Sequence, residues 1–361
     1  MGKRGSKSVR LSASLGVLFV LTLVAGQPAA AKVGPGSATF DYATPVFGIA
    51  TAPDGSLLVA DYGAGVVELR KGAGTLIAEL PGVTDIAPIG RGSMFAITGG
   101  GGANMPWALY RVSRGGIQMI ANLSAFENTT NPDGGADDSN PFEVVALSED
   151  TALVADAGGN DLLVIDQDGN VDWVAVLPAE LVSTASAKTL VGCPSPPPGF
   201  ETICALPPMI PAQPVATGVA VGPDGAYYVS ELKGFPAPIG ESRIWRIEPG
   251  TLHAECGTSP ACTVVADGFT SIVDLAFGPD GTLYVTEIDE AGWLAVELAA
   301  VLGPGVMKGG TVNACDLDSW SCTEIATGLP IAIASTVGGD GTVYVAILAL
   351  VPGEAKVIPI T

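Results

Sequence analysis

Four carboxylates recur at one place in a repeating pattern. Asp61, Asp156, Glu231 and Glu287 close the apolar runs L-L-V-A-D, A-L-V-A-D, Y-Y-V-S-E and L-Y-V-T-E. Carboxylates gathered within reach of one another raise each other's pKa or recruit a cation, and an oxygen-only set suits Ca2+ or another hard divalent metal. The competing chemistry is local: each acid caps its own run by accepting backbone N–H bonds. The choice depends on whether the elements that carry these acids bring them together.

Those elements are repeats. Thr217–Glu231 reads T-G-V-A-V-G-P-D-G-A-Y-Y-V-S-E, a short apolar strand, a Pro-Asp-Gly turn and a second apolar strand. The unit returns at Val273–Glu287 and Phe47–Asp61, with weaker copies at Val144–Asp156, Thr336–Ile347 and Asp85–Thr98. Two further strand-like runs follow most copies, so each repeat carries four strands, A to D. Such repeats predict an all-β, six-bladed β-propeller with four-stranded blades. The last repeat has only three runs, and the ring is expected to close with an N-terminal strand at Ser37–Tyr42, which removes an exposed edge.

In a four-stranded meander the A–B and C–D loops lie on one face and the B–C and D–A loops on the other. The A–B and C–D turns here are nearly all short. The long excursions, Thr98–Trp107, Leu123–Pro141, Pro178–Pro214, Glu231–Ser242 and Ile288–Lys308, are all B–C or D–A loops. One face is therefore plain and the other elaborated, and loops on a rigid frame are where binding residues concentrate. Ile288–Leu302 reads as a short helix on that face, as a lid over the channel or a partner surface. The turn residues Asp54, Asp224, Asp280 and Asp340 are structural, since Asp-Gly supplies the turn conformation. The acidic, glycine-rich stretch Asn131–Asn140 reads as a mobile loop in preference to a metal site.

The first residues carry Lys3, Arg4, Lys7 and Arg10, then an apolar Leu11–Ala25 and the small residues Ala29-Ala30-Ala31. This is the pattern of a signal peptide over residues 1–31, leaving 32–361 as the propeller domain. The apolar run is shorter than a membrane span needs, and no later run reads as one. A secreted or periplasmic protein is expected. Loss of residues 1–31 leaves 12 basic against 37 acidic side chains, a net charge of −25. So acidic a surface excludes nucleic acid and anionic membranes as partners.

Six cysteines fall into near neighbours: Cys193 with Cys204, Cys256 with Cys262, and Cys315 with Cys322. In an oxidising compartment local disulfides follow, although spacing alone leaves the connectivity open. The chain has one histidine, His253, and no G-x-S-x-G elbow, H-E-x-x-H or phosphate-binding loop, so no catalytic motif is found.

Three stretches resemble the ScyD/ScyE family of secreted propeller proteins: Ser139–Val171, with V-A-D-A-G-G-N-D, Pro214–Pro236, with E-L-K-G-F-P, and Gly268–Glu287. The resemblance implies a secreted six-bladed propeller; strand–PDG–strand units alone are shared with NHL-repeat and gluconolactonase-like propellers. The leading expectation is a scaffold that binds a small molecule or a protein partner on the loop-rich face, through Asn140, Phe142, Asp156, Asn160, Glu231, Phe235 and Glu287. The alternative is a metal-dependent hydrolase or lactonase that uses Asp61, Asp156, Glu231 and Glu287 as a ring at the channel mouth.

Overall fold

The repeats fold as blades. A computed structural model describes Tyr42 and residues 45–90, 92–99 and 106–360. Blade 1 is β1 (Val46–Thr51), β2 (Leu57–Asp61), β3 (Gly65–Arg70) and β4 (Ala73–Glu79); blade 2 is β5 (Val83–Pro88), β6 (Ser93–Thr98), β7 (Ala108–Ser113) and β8 (Gly116–Asn122). Helix α1 (Leu123–Thr130) leads to blade 3, formed by β9 (Pro141–Ser148), β10 (Thr151–Asp156), β11 (Asp161–Asp166) and β12 (Val171–Val176). The longest excursion then forms a hairpin of its own, β13 (Glu180–Ser183) with β14 (Met209–Ala212), and α2 (Ala185–Leu190) and α3 (Glu201–Cys204) lie between its strands.

Blade 4 is β15 (Ala216–Val221), β16 (Tyr227–Glu231), β17 (Ser242–Ile247) and β19 (Cys262–Phe269). Its C–D segment carries β18 (Ala254–Glu255), which pairs in parallel with β12 as a fifth strand of blade 3. Blade 5 is β20 (Ile272–Phe277), β21 (Leu283–Glu287), β22 (Gly310–Asp316) and β23 (Ser321–Leu329), with α4 (Trp293–Leu302) in its B–C loop. Blade 6 has three strands among the described residues, β24 (Ala334–Val337), β25 (Val343–Ile347) and β26 (Lys356–Pro359). The expected signal peptide 1–31 and closing strand 37–42, Tyr42 apart, lie outside the described residues.

The turns show why the sequence repeats. In four blades the turn aspartate Oδ1 accepts the N–H two residues on: Asp54 from Ser56, Asp224 from Ala226, Asp280 from Thr282 and Asp340 from Thr342, all at 3.0–3.1 Å. The next residue is a glycine at φ +78° to +87°, a conformation that costs other residues strain. The disulfides Cys193–Cys204, Cys256–Cys262 and Cys315–Cys322 are all present.

The A strands line the axis, and in blades 1 to 5 each carries a register shift at its loop-side end, beside Gly48, Asp85, Glu143, Gly218 and Asp274. A bulge of this kind re-aims the following side chain. Ala334 holds the same position in blade 6, paired one residue before the end of strand B as in the other blades. At this level the axis is lined in turn by Gly, Asp, Glu, Gly, Asp and Ala.

Candidate functional site

The inner edge of each A strand has no neighbouring strand, so its axis-facing N–H groups need other acceptors. The acids of the axial ring supply them, each to the following blade. Asp85 Oδ2 accepts from Val144 N at 2.9 Å, and Glu143 Oε2 from Val219 N at 3.0 Å. Asp274 Oδ2 accepts from both the backbone N, 2.5 Å, and the hydroxyl, 2.7 Å, of Ser335. Hydroxyls link two further pairs of blades: Thr217 Oγ1 donates to Ile272 O at 2.7 Å, and Thr51 N donates to Thr336 Oγ1 at 3.1 Å. The glycines make room. A Cβ at Gly48 would stand 2.1 Å from Asp85 Oδ1, and one at Gly218 3.3 Å from Glu143 Oε2.

All three acids are at least nine-tenths buried. Burial lifts Asp274 to about 6, against hydrogen bonds from Ser335 and Glu143. Burial also holds Asp85 and Glu143 well above the usual carboxylate range, and the negative charge of Asp274 adds to both. The interaction between the two raises Glu143 and lowers Asp274, so these carboxyls titrate as a pair. Below them lies a cavity of about 420 Å³, lined only by the A strands and running to their turn-side ends at Thr51, Pro88, Ala146, Val221, Phe277 and Val337. The channel therefore opens on the plain face.

Its loop-side end is filled. Trp293, Leu294 and Val296 of α4 pack with Val46, Ala157, Val215, Leu232, Ile288 and Leu350 in one apolar cluster, and Trp293 Nε1 donates to Lys233 O at 2.8 Å. Helix α4 is the lid. Phe142 and Phe235, expected to face a ligand, pack against this cluster, and the ring of Phe142 meets Phe47 edge-on at 6.2 Å.

Each of the four strand-B acids has its own surroundings. Asp61 is buried and its Oδ1 accepts from Gly63 N at 3.2 Å. Asp156 accepts from Ser139 Oγ and from the backbone of Asn140, Gly158 and Gly159, at 2.5–3.1 Å. Glu231 accepts from Trp245 Nε1 at 2.6 Å and lies 2.7 Å from the Nζ of Lys233, which is fully buried and also bridges to Glu180. Burial raises the Glu231 pKa against the pull of that ammonium. Glu287 accepts from Thr270 N and from Asn313 Nδ2. Burial pushes it up to about 7, and it faces a crevice between blades 4 and 5 that also holds Glu290 and Glu324. Backbone N–H groups thus cap Asp61, Asp156 and Glu287, whereas Glu231 is held by side chains. Asn160, in the left-handed region at φ +54°, donates to Asp133 Oδ2 at 2.8 Å and accepts from Val215 N at 3.0 Å, while Asn140 is half-buried beside Asp156. Among the described residues, no three His, Cys, Asp or Glu side chains are closed around a common point as a metal centre.

The axial acids escape a reading centred on strand B. Their signal is a column in strand A, visible only when G-I-A, D-I-A, E-V-V, G-V-A, D-L-A and A-S-T are stacked.

Fold and axial site define a six-bladed β-propeller. No family model matches the chain, and no curated protein matches it in sequence. Solved structures do match in fold. A gluconolactonase of Xanthomonas campestris aligns over 89% of this chain and 87% of its own, with TM-score 0.55 and 12% identity. A protein of Trichoderma reesei from carbohydrate-active enzyme family AA12 aligns over 91% and 97%, with TM-score 0.54 and 10% identity. A glucose dehydrogenase-like oxidoreductase of Thermus thermophilus aligns over 88% and 96%, with TM-score 0.52 and 16% identity. At such identities the likeness is one of fold.

Proposed function

We propose that this protein is a secreted propeller of the ScyD/ScyE type that binds a small hydroxyl- or amine-bearing molecule in its axial channel, entered from the plain face. The observation that carries this reading is the trio Asp85, Glu143 and Asp274 at the floor of a cavity of about 420 Å³. Carboxyls kept partly protonated both donate and accept hydrogen bonds, the equipment for a polyol; ionised, they take an ammonium group. The loop-rich face was the expected location, but its channel mouth is filled by α4. Three closed disulfides suit an extracytoplasmic compartment, and no described helix is long and apolar enough to cross a membrane.

Calorimetry with a panel of sugars, polyols and amines tests the reading. Glu143→Gln and Asp274→Asn should weaken any ligand by roughly tenfold or more per lost contact, while Glu287→Gln, outside the channel, leaves binding unchanged. Binding indifferent to both channel variants would remove the site. A second reading, a hydrolase, draws on the Glu143–Asp274 pair, because a carboxyl pair that titrates together can serve as acid and base. Lactone turnover abolished by either channel variant would favour it; no turnover with or without added divalent metal discards it.

A further inference from the structure

A second acidic cluster lies on the loop-rich face, and it is built differently from the axial one. Helix α1 ends at Asn131 in the left-handed conformation, and the following loop folds back over the β10–β11 turn. The approach is close: a Cβ at Gly158 would stand 2.6 Å from Asp138 O. Glu127 comes from the helix, Asn131, Asp133 and Asp138 from the loop, and Asp156 and Asp161 from facing ends of β10 and β11. Asp161 is fully buried and Glu127 is 3% exposed.

Five oxygens of this cluster lack partners. Both Oδ atoms of Asp161, Glu127 Oε1, Asp138 Oδ1 and Asn131 Oδ1 are shielded from solvent and accept no hydrogen bond. The charges that act on Asp161 are Asp156, Glu127 and Asp133, and those on Glu127 begin with Asp156, Asp133 and Asp138; all are negative. Burial, then these neighbours, lifts Glu127 to about 8 and Asp161 well above the usual range. Unpaired buried carboxylates are costly and are ordinarily matched by a cation or neutralised. The molecule has a cation elsewhere for this purpose, Lys233 beside Glu231; here none appears among the charges that act.

We infer that Glu127, Asn131, Asp138 and Asp161, supported by Asp133 and Asp156, form a binding site for one Ca2+ ion that ties the α1–β9 loop to blade 3. Carboxylate and amide oxygens without nitrogen or sulfur select a hard cation, and calcium accepts six to eight oxygens in irregular geometry where magnesium demands a near-ideal octahedron. The oxygens are not drawn in around one point, as mutual repulsion between like charges requires. The ion gathers them by moving the loop, whose glycines at 134 and 135 allow it. Extracellular calcium modules of this kind bind at about 10⁻⁴–10⁻³ M.

The test uses the mature full-length protein with calcium chloride, magnesium chloride or EGTA. Calorimetry should give one calcium ion per chain, and the melting temperature should rise by about 5 °C at calcium a hundredfold above its dissociation constant. Asp161→Asn should weaken calcium on the order of tenfold or more, yet melt no lower than the unmodified protein in EGTA, because it relieves repulsion. If that variant does not fold, Glu127→Gln gives the same readout. A melting temperature equal in calcium and EGTA, as protons and water alone would give, overturns the inference. So does an equal response to magnesium, or a calcium increment that survives both substitutions.

Discussion

The axial acids and the innermost loop-side acids, Glu127 and Asp161, are all at least nine-tenths buried, yet their oxygens fare differently. Each axial carboxylate has an N–H of the next blade to accept, so its burial joins neighbouring blades. On the loop side Asp161 has neither N–H nor cation. Between them stands Glu231, held by the protein's own Lys233. A buried carboxylate is thus stabilised here by backbone, by lysine, or by something the chain does not supply. Partner chemistry, not burial, separates an acid that the chain itself satisfies from one that it does not.

The largest effect expected on this comparison comes from removing the internal cation. Lys233→Met should cost about 3 kcal/mol, because Glu231 is left buried with only Trp245 Nε1 and the more distant Arg243 guanidinium, 3.6 Å away, to offset its charge. Urea unfolding measures it, and a loss under 1 kcal/mol would show that Glu231 tolerates isolation, blurring the contrast with Asp161.

Next comes pH. Asp274 rises from 3.8 to about 6 on folding. Between those values the folded protein keeps a proton that the unfolded chain has released, so this group's contribution is greatest at low pH and falls as pH rises, levelling above about 6. Relative to Asp274→Asn, the unmodified protein should lose about 2 kcal/mol between pH 4 and pH 7. Parallel stability curves for the two proteins would mean that the axial acid is as easily ionised as a surface one.

The smallest effect belongs to an exposed acid. Asp224 pairs with Arg246 at 2.9 Å on the plain face, and Asp224→Asn should change stability by about 0.5 kcal/mol, since solvent screens the pair. A loss comparable to that of Lys233→Met would erase the distinction between surface and interior.

The fold was legible because its signals are local. Pro-Asp-Gly with flanking apolar runs states two strands and the turn between them, and the lengths of the intervening segments state which face is elaborated. The helix in Ile288–Leu302 was legible too, although it starts at Trp293. The axial site was less so: Asp85, Glu143 and Asp274 are scattered along the chain and meet only because bulged strands converge on an axis. Asp161 lies within V-A-D-A-G-G-N-D, beside residues that did attract notice, but its want of a partner exists only in three dimensions. The strand-B acids drew attention by recurring, and in three of the four blades that carry one the acid accepts a backbone N–H, while Glu231 pairs with side chains.

The short strand β18 reaches from blade 4 to pair with β12 of blade 3, with Cys256 N donating to Val176 O at 2.9 Å and the Cys256–Cys262 bridge fastening its far end. A ring of six similar wedges thereby acquires a clasp at one seam. Among the described residues the other neighbouring blades meet through side chains and isolated hydrogen bonds, whereas these two share a sheet, so they are expected to open and close as one cooperative unit.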